Sequence, residues 1–206
     1  MQAEPRTMPS PVLPFLMIWV VANAIGGALG GLLEARLEFL GTLVLVGSMV
    51  GLCQWFLLRR YLPHAALWGW ALALGWPLGN ILRVSMGGFF TPLAEELTIR
   101  GWLWEVFWLN FLQMPVTLFV VGLLQGLLLT PRRRTVTRWA LINIAGGAVL
   151  GAVGATVCLH FCDRITALAG VATTGLTLGA LSWLGYSLVT GPVLVMLLQR
   201  QEHTSL

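Results

Sequence analysis

The sequence predicts an all-α fold: a polytopic membrane bundle of about six transmembrane helices, arranged as three helical hairpins, with a further interfacial helix near residues 92–112. Three observations carry this expectation: a composition foreign to soluble domains, six apolar windows of bilayer length, and an internal repeat. Of the 206 residues, 57% are hydrophobic and 10% charged, against about 25% charged in an ordinary soluble domain. The polar surface needed to cover a water-soluble sphere is missing, which leaves lipid as the solvent.

A bilayer core is crossed by about 20 apolar helical residues. Windows of that kind lie near 14–33, 39–58, 66–82, 115–130, 139–159 and 176–198. Pro115 either opens the fourth helix or kinks a longer one that begins near 104. The segment from Met1 to Pro14 has one Arg, one Glu and four Pro. That is not the basic start of a secretory signal, so the first apolar run is expected to stay as a span.

Orientation follows from the arginines, since the chain has no Lys. Arg59 and Arg60 follow the second window, Arg132, Arg133, Arg134 and Arg138 separate the fourth from the fifth, and Arg200 follows the sixth. All fall on one side, and the loops of the other side hold no such cluster. Positive-inside reasoning puts that side and both termini in the cytoplasm. A net charge of +4 would suggest nucleic acid in a soluble protein. Here the arginines flank apolar runs as topology determinants do, so the expected partners are the lipid bilayer and other membrane subunits, with no nucleic acid.

The repeat appears as Gly51-Leu-Cys-Gln54-Trp-Phe-Leu-Leu58 against Gly122-Leu-Leu-Gln125-Gly-Leu-Leu-Leu129, at an offset of 71. The same offset takes Trp68 to Trp139 and Gly75 to Gly146, and an offset of 120 takes Trp19, Asn23, Gly26 and Gly27 to Trp139, Asn143, Gly146 and Gly147. The unit is a hairpin whose second helix ends in basic residues, giving repeats at about 12–60, 64–131 and 136–200 within one integral membrane domain. In the third hairpin Leu194 stands where Gln is expected. Hairpins two and three carry about 20 more residues on the outer side, the natural place for a grafted function.

The phrase Gly-Leu-Cys-Gln-Trp-Phe-Leu-Leu-Arg-Arg at 51–60, followed by Trp68, Trp70 and Gly75-Trp76, resembles a recurring element of uncharacterised multi-spanning bacterial proteins of cyanobacterial and Chloroflexi type. The resemblance covers about half the chain through its repeats. It implies a bacterial inner-membrane location, and nothing about chemistry or cofactor.

Asn23, Gln54, Gln125 and Asn143 form a candidate polar layer near the cytoplasmic boundary. Amides at that depth bond across helices for about 0.6–2 kcal/mol, while small residues let backbones close up. Such a layer is either glue for the bundle or the lining of a solute site at the repeat interface.

Glu95-Glu96-Leu-Thr-Ile-Arg100-Gly101 resembles the Glu-Glu-x-x-x-Arg signature of the CPBP family of CAAX-type intramembrane proteases. In that family the glutamates act with downstream histidines on a water or metal. Over these seven residues the resemblance implies a membrane-embedded hydrolase site of Glu95, Glu96 and Arg100 at the outer face, with His160 as the available histidine. The family's Phe-x-x-x-His is replaced by Val121-Gly-Leu-Leu-Gln125, and no second outer histidine follows. The residues by themselves read as a helix start: Thr91 as N-cap, Pro92 first in the helix, two acids near the positive end, and Glu96 paired with Arg100 at i,i+4. Trp102, Trp104 and Trp108 then suggest headgroup depth.

Cys158-Leu-His160-Phe-Cys162 contains zinc-type ligands. On a helix, however, the two cysteines share a face and the histidine points away, so no metal site is assigned. Three cysteines at this spacing define no disulfide framework. Because no charge falls deep in the spans, apart from Arg83 at the end of the third, proton-coupled transport has no relay to run on. The expected function is therefore that of a non-enzymatic membrane protein, either a subunit of a complex or a unit that binds or translocates a small molecule.

Overall fold

The computed structural model describes residues 12–62, 64–101, 103–129 and 132–202, all in helices and the short turns between them. The helices are α1 (Val12–Leu40), α2 (Val46–Leu58), α3 (Ala65–Ser85), α4 (Gly87–Ile99), α5 (Glu105–Leu129), α6 (Arg133–Val157) and α7 (Asp163–Glu202), with π-helical turns at Gly41–Leu45 and Cys158–Cys162. Four stretches are long and apolar enough to cross a membrane: Val12–Leu37, Ala65–Ser85, Glu105–Leu129 and the run Arg133–Gln199, which spans α6 and α7. The shorter Thr42–Leu58 is also apolar.

Six of the helices form a closed ring. Around it α1 touches α2, α2 touches α3, α3 touches α5, α5 touches α6, α6 touches α7, and α7 returns to α1; α4 lies outside against α5. Neighbours run antiparallel, as the glycine contacts show. A Cβ on Gly26 of α1 would lie 2.7 Å from Val50 Cα of α2, and one on Gly30 would lie 3.0 Å from Val46 Cα. On α3, Gly79 faces Thr117 of α5 at 2.6 Å. On α6, Gly146 faces Tyr186 of α7 at 2.7 Å. The tightest seam joins α1 to α7, where Gly27 and Gly31 meet the backbone of Gly179 and Gly175. Small residues at such seams let helix backbones approach closely and pack by van der Waals contact.

The ring has two ends. At the basic end stand Arg59, Arg60, Arg132, Arg133 and Arg134; at the other, the turn end, the chain turns back between α1 and α2 and again at Gly170, where the non-helical backbone reverses α7 and Thr166 meets Thr174 across the bend. The outward faces are lipophilic: Ile18, Leu52, Leu78, Leu127 and Leu141 are all exposed. The interior at the basic end is filled by Trp19, Trp68 and Trp139, each 0% exposed.

The segment 92–112 is not the single interfacial helix expected. Helix α4 starts earlier, at Gly87, so Thr91 is not its N-cap and Pro92 lies inside it. It stops at Gly101, whose φ of +85° only glycine adopts without strain; the Gly101 N–H closes the helix end on Thr98 O at 2.9 Å. A new helix then begins at Glu105, with Trp104 O accepting from Phe107 N at 3.1 Å. Pro115 therefore lies within α5 instead of opening it, and α6 closes on that point through Gly147, whose Cβ would lie 2.9 Å from Met114 O. A second glycine of positive φ, Gly170 at +83°, breaks α7 near its start.

Candidate functional site

Two interior regions are stacked along the ring, a polar plug at the basic end and a cavity at the turn end. In the plug, Asn23, Gln54, Gln125 and Asn143 are each 0% exposed. Gln54 Nε2 donates to Asn23 Oδ1 at 2.8 Å. Gln54 Oε1 accepts from Trp68 Nε1 at 2.8 Å and from Gln125 Nε2 at 3.3 Å. Gln125 Oε1 in turn accepts from Trp139 Nε1 at 3.2 Å.

Asn23 and Asn143 each use their Nδ2 on the carbonyl one turn earlier, Trp19 O and Trp139 O, both at 2.8 Å. Asn143 Oδ1 accepts the Tyr186 hydroxyl at 2.6 Å. Trp19 Nε1 reaches Thr190 Oγ1 at 3.3 Å, and Thr190 bonds Tyr186 O at 3.1 Å. The four amides are thus spent on one another and on indoles and a phenol. All four are fully buried, and none of them lines the cavity above the plug.

Above the plug lies a cavity of about 500 Å³, walled by all six ring helices and open at the turn end. Its floor is Trp76 and Trp183, with ring centroids 5.5 Å apart, and Tyr186 supports Trp183 from below at 5.0 Å. Trp76 is held by its N–H on Thr42 O at 2.7 Å. The wall is mostly apolar, through Val46, Met114, Leu150 and Leu178, with Asn80, Asn110 and Ser182 set into it. Glu34, at the mouth, accepts the Thr42 hydroxyl at 2.9 Å. Asn80 is 3% exposed. Its Nδ2 is fixed on Trp76 O at 2.9 Å, and its Oδ1 is buried without a partner among the described residues. The cavity is concave and mostly apolar with a few polar atoms set into its wall, features that small-molecule sites share.

The other sequence candidates lie at the turn end, outside the cavity. Glu96 is held on the exposed face of α4 by Arg100, with Nη2 to Oε1 at 2.8 Å, and Glu95 beside it is exposed. His160 packs on Trp104, ring centroids 6.2 Å apart. Among the described residues no three His, Cys, Asp or Glu side chains converge as metal ligands. Cys158 and Cys162 are joined as a disulfide in the π-helical turn, a pairing the sequence reading did not assign, and both border the mouth of the cavity.

No protein-family model, curated protein or solved structure matches the chain.

The cavity residues escaped the sequence reading, although one signal was present. Asn80 occupies the place that Gly31 and Gly151 hold at offsets of 49 and 71, so a polar side chain replaces a packing glycine there. Tyr186 and Thr190 had no such mark. They take their roles from tertiary contact with α1 and α6.

Proposed function

We propose that this chain is a non-enzymatic integral membrane protein that crosses the bilayer six times as three related hairpins, both termini on the arginine-rich cytoplasmic side, and that it binds a small molecule in a vestibule open to the outer face. The observation that carries this reading is the blind cavity, open at the turn end and stopped at Trp76 and Trp183 above a plug of fully buried, mutually bonded side chains. A stopped cavity suits capture and holding. Passage across the bilayer would first require the bonds among Asn23, Gln54 and Gln125, and the bond from Tyr186 to Asn143, to break.

The six crossings rest on the ring of six antiparallel helices, apolar outside and basic at one end. The repeat reading draws support from corresponding contacts: Gly26 with Val50 and Gly75 with Val121 inside hairpins, and Gly51 with Gly69 and Gly122 with Ala140 between them. The hydrolase reading gains no comparable support. Glu96 is engaged by Arg100 on the exposed face of α4, and Gln125 is tied into the plug.

Native mass spectrometry after gentle extraction tests the reading. The wild-type chain is expected to retain a bound adduct that Gly154→Leu loses while staying helical. In the structure a Cβ at Gly154 meets only Ser182 Oγ, at 3.0 Å, so the added side chain fills the cavity. Equal adducts on both proteins would contradict it.

A further inference from the structure

We propose, building on the ligand-binding reading, that the cavity takes an organic ammonium ion that keeps at least one N–H and carries an apolar body. Four features of the wall select this chemistry. The volume of about 500 Å³ falls in the range of about 300–1,000 Å³ that holds drug-sized ligands. Glu34 is the one charged residue lining the cavity among the described residues, so an anion meets a carboxylate at the mouth and no cation in the lining itself.

Asn80 Oδ1 is an acceptor already out of water, with its amide nitrogen committed to Trp76 O. A buried acceptor left unpaired is unfavourable, and a donor from the ligand removes that penalty. The floor is a pair of indoles, Trp76 and Trp183, the aromatic type that best attracts a cation over its face. Arg83 is not among the lining residues; its Nη1 rests 3.8 Å from the sulfur of the lining residue Met114, and its charge is already engaged with that of Glu34. An N–H ammonium satisfies Glu34, Asn80 and the indoles together, whereas an alcohol satisfies Asn80 alone and a quaternary ammonium cannot donate to it.

The test is calorimetric titration of the full chain in nanodiscs, with empty nanodiscs subtracted, using 4-phenylbutylammonium, its N,N,N-trimethyl analogue, 4-phenylbutanol and 4-phenylbutanoate. The primary ammonium is expected to bind tightest, with the trimethyl analogue about tenfold weaker for want of a donor to Asn80. Glu34→Gln is expected to weaken the ammonium by about tenfold and leave the alcohol unchanged, while Asn80→Leu weakens both.

Equal affinity for ammonium, alcohol and carboxylate, or an ammonium affinity indifferent to Glu34→Gln, overturns the cation assignment. If the native-spectrum adduct is still lost in Gly154→Leu, the ligand site itself survives that result. No saturable binding by the ammonium, together with no such adduct, overturns both.

Discussion

The amide oxygen of Gln54 accepts the indole N–H of Trp68 at 2.8 Å, and Gln125 accepts that of Trp139 in the same way at 3.2 Å. Each pair is 14 residues apart, joining α2 to α3 and α5 to α6. Gln54 also holds Asn23 and Gln125, which makes it the hub of the plug.

Removing that hub should be costly. Gln54→Leu leaves Asn23 Oδ1, Trp68 Nε1 and Gln125 Nε2 each without a partner. With membrane side-chain bonds at about 0.6–1.7 kcal/mol each, a loss of about 2–4 kcal/mol is expected in a reversible unfolding measurement in micelles. A loss below about 0.5 kcal/mol would mean that the layer is not bonded as described.

Tyr186→Phe isolates one bond. It keeps the ring against Trp183 and Gly146 and deletes only the hydroxyl that Asn143 accepts at 2.6 Å. The expected cost is about 1 kcal/mol, with the cavity above unchanged, so ligand affinity should move less than twofold. Unfolding and titration on the same preparation separate the two effects.

Glycines divide by position. Gly31 meets the backbone of Gly175 across the α1–α7 seam, whereas a Cβ on Gly88 of α4 meets nothing within 4 Å. Gly31→Val should therefore force the helices apart and cost about 1–3 kcal/mol or more. Gly88→Ala should stabilise by up to about 1 kcal/mol through helix propensity. Paired thermal melts check the contrast.

The disulfide closes a small loop, with Cys158 and Cys162 four residues apart. On loop-closure grounds, replacing both by Ala should lower stability by no more than about 2 kcal/mol. Non-reducing mass measurement should find two hydrogens fewer than after reduction and reveal Cys53 as the free thiol.

Much of the fold was legible because long apolar windows leave helix as the simplest way to pair the backbone internally. The Trp, Gly and Gln positions that recur in the sequence fall at helix contacts around the ring, as with Gln54 on Trp68 and Gln125 on Trp139. The amides of the plug stood out in the sequence, since an amide within a long apolar helix needs a partner; the closure of the plug did not, because it depends on Tyr186 and Thr190 arriving from α7.

The segment 92–112 misled through its tryptophans and acids, which masked the stop at Gly101. There the Arg100-Gly101 step carried the stronger signal, a glycine just past a helix end. The cavity was the least legible feature. Its wall mixes glycines that bring helices together, such as Gly31 against Gly175, with Gly154, where a Cβ would meet only Ser182 Oγ, and small residues look the same in sequence whether they close helices up or leave room between them.

The most direct test of the ligand vestibule is photolabelling with a diazirine-bearing phenylalkylammonium in membranes, with adducts mapped by peptide mass spectrometry. Adducts are expected on Val106, Met114, Leu150 and Leu178, which face the cavity, and should be competed away by unlabelled ammonium. Labelling confined to the outward-facing Leu78, Leu127 and Leu141, and insensitive to competitor, would contradict a binding site inside the ring.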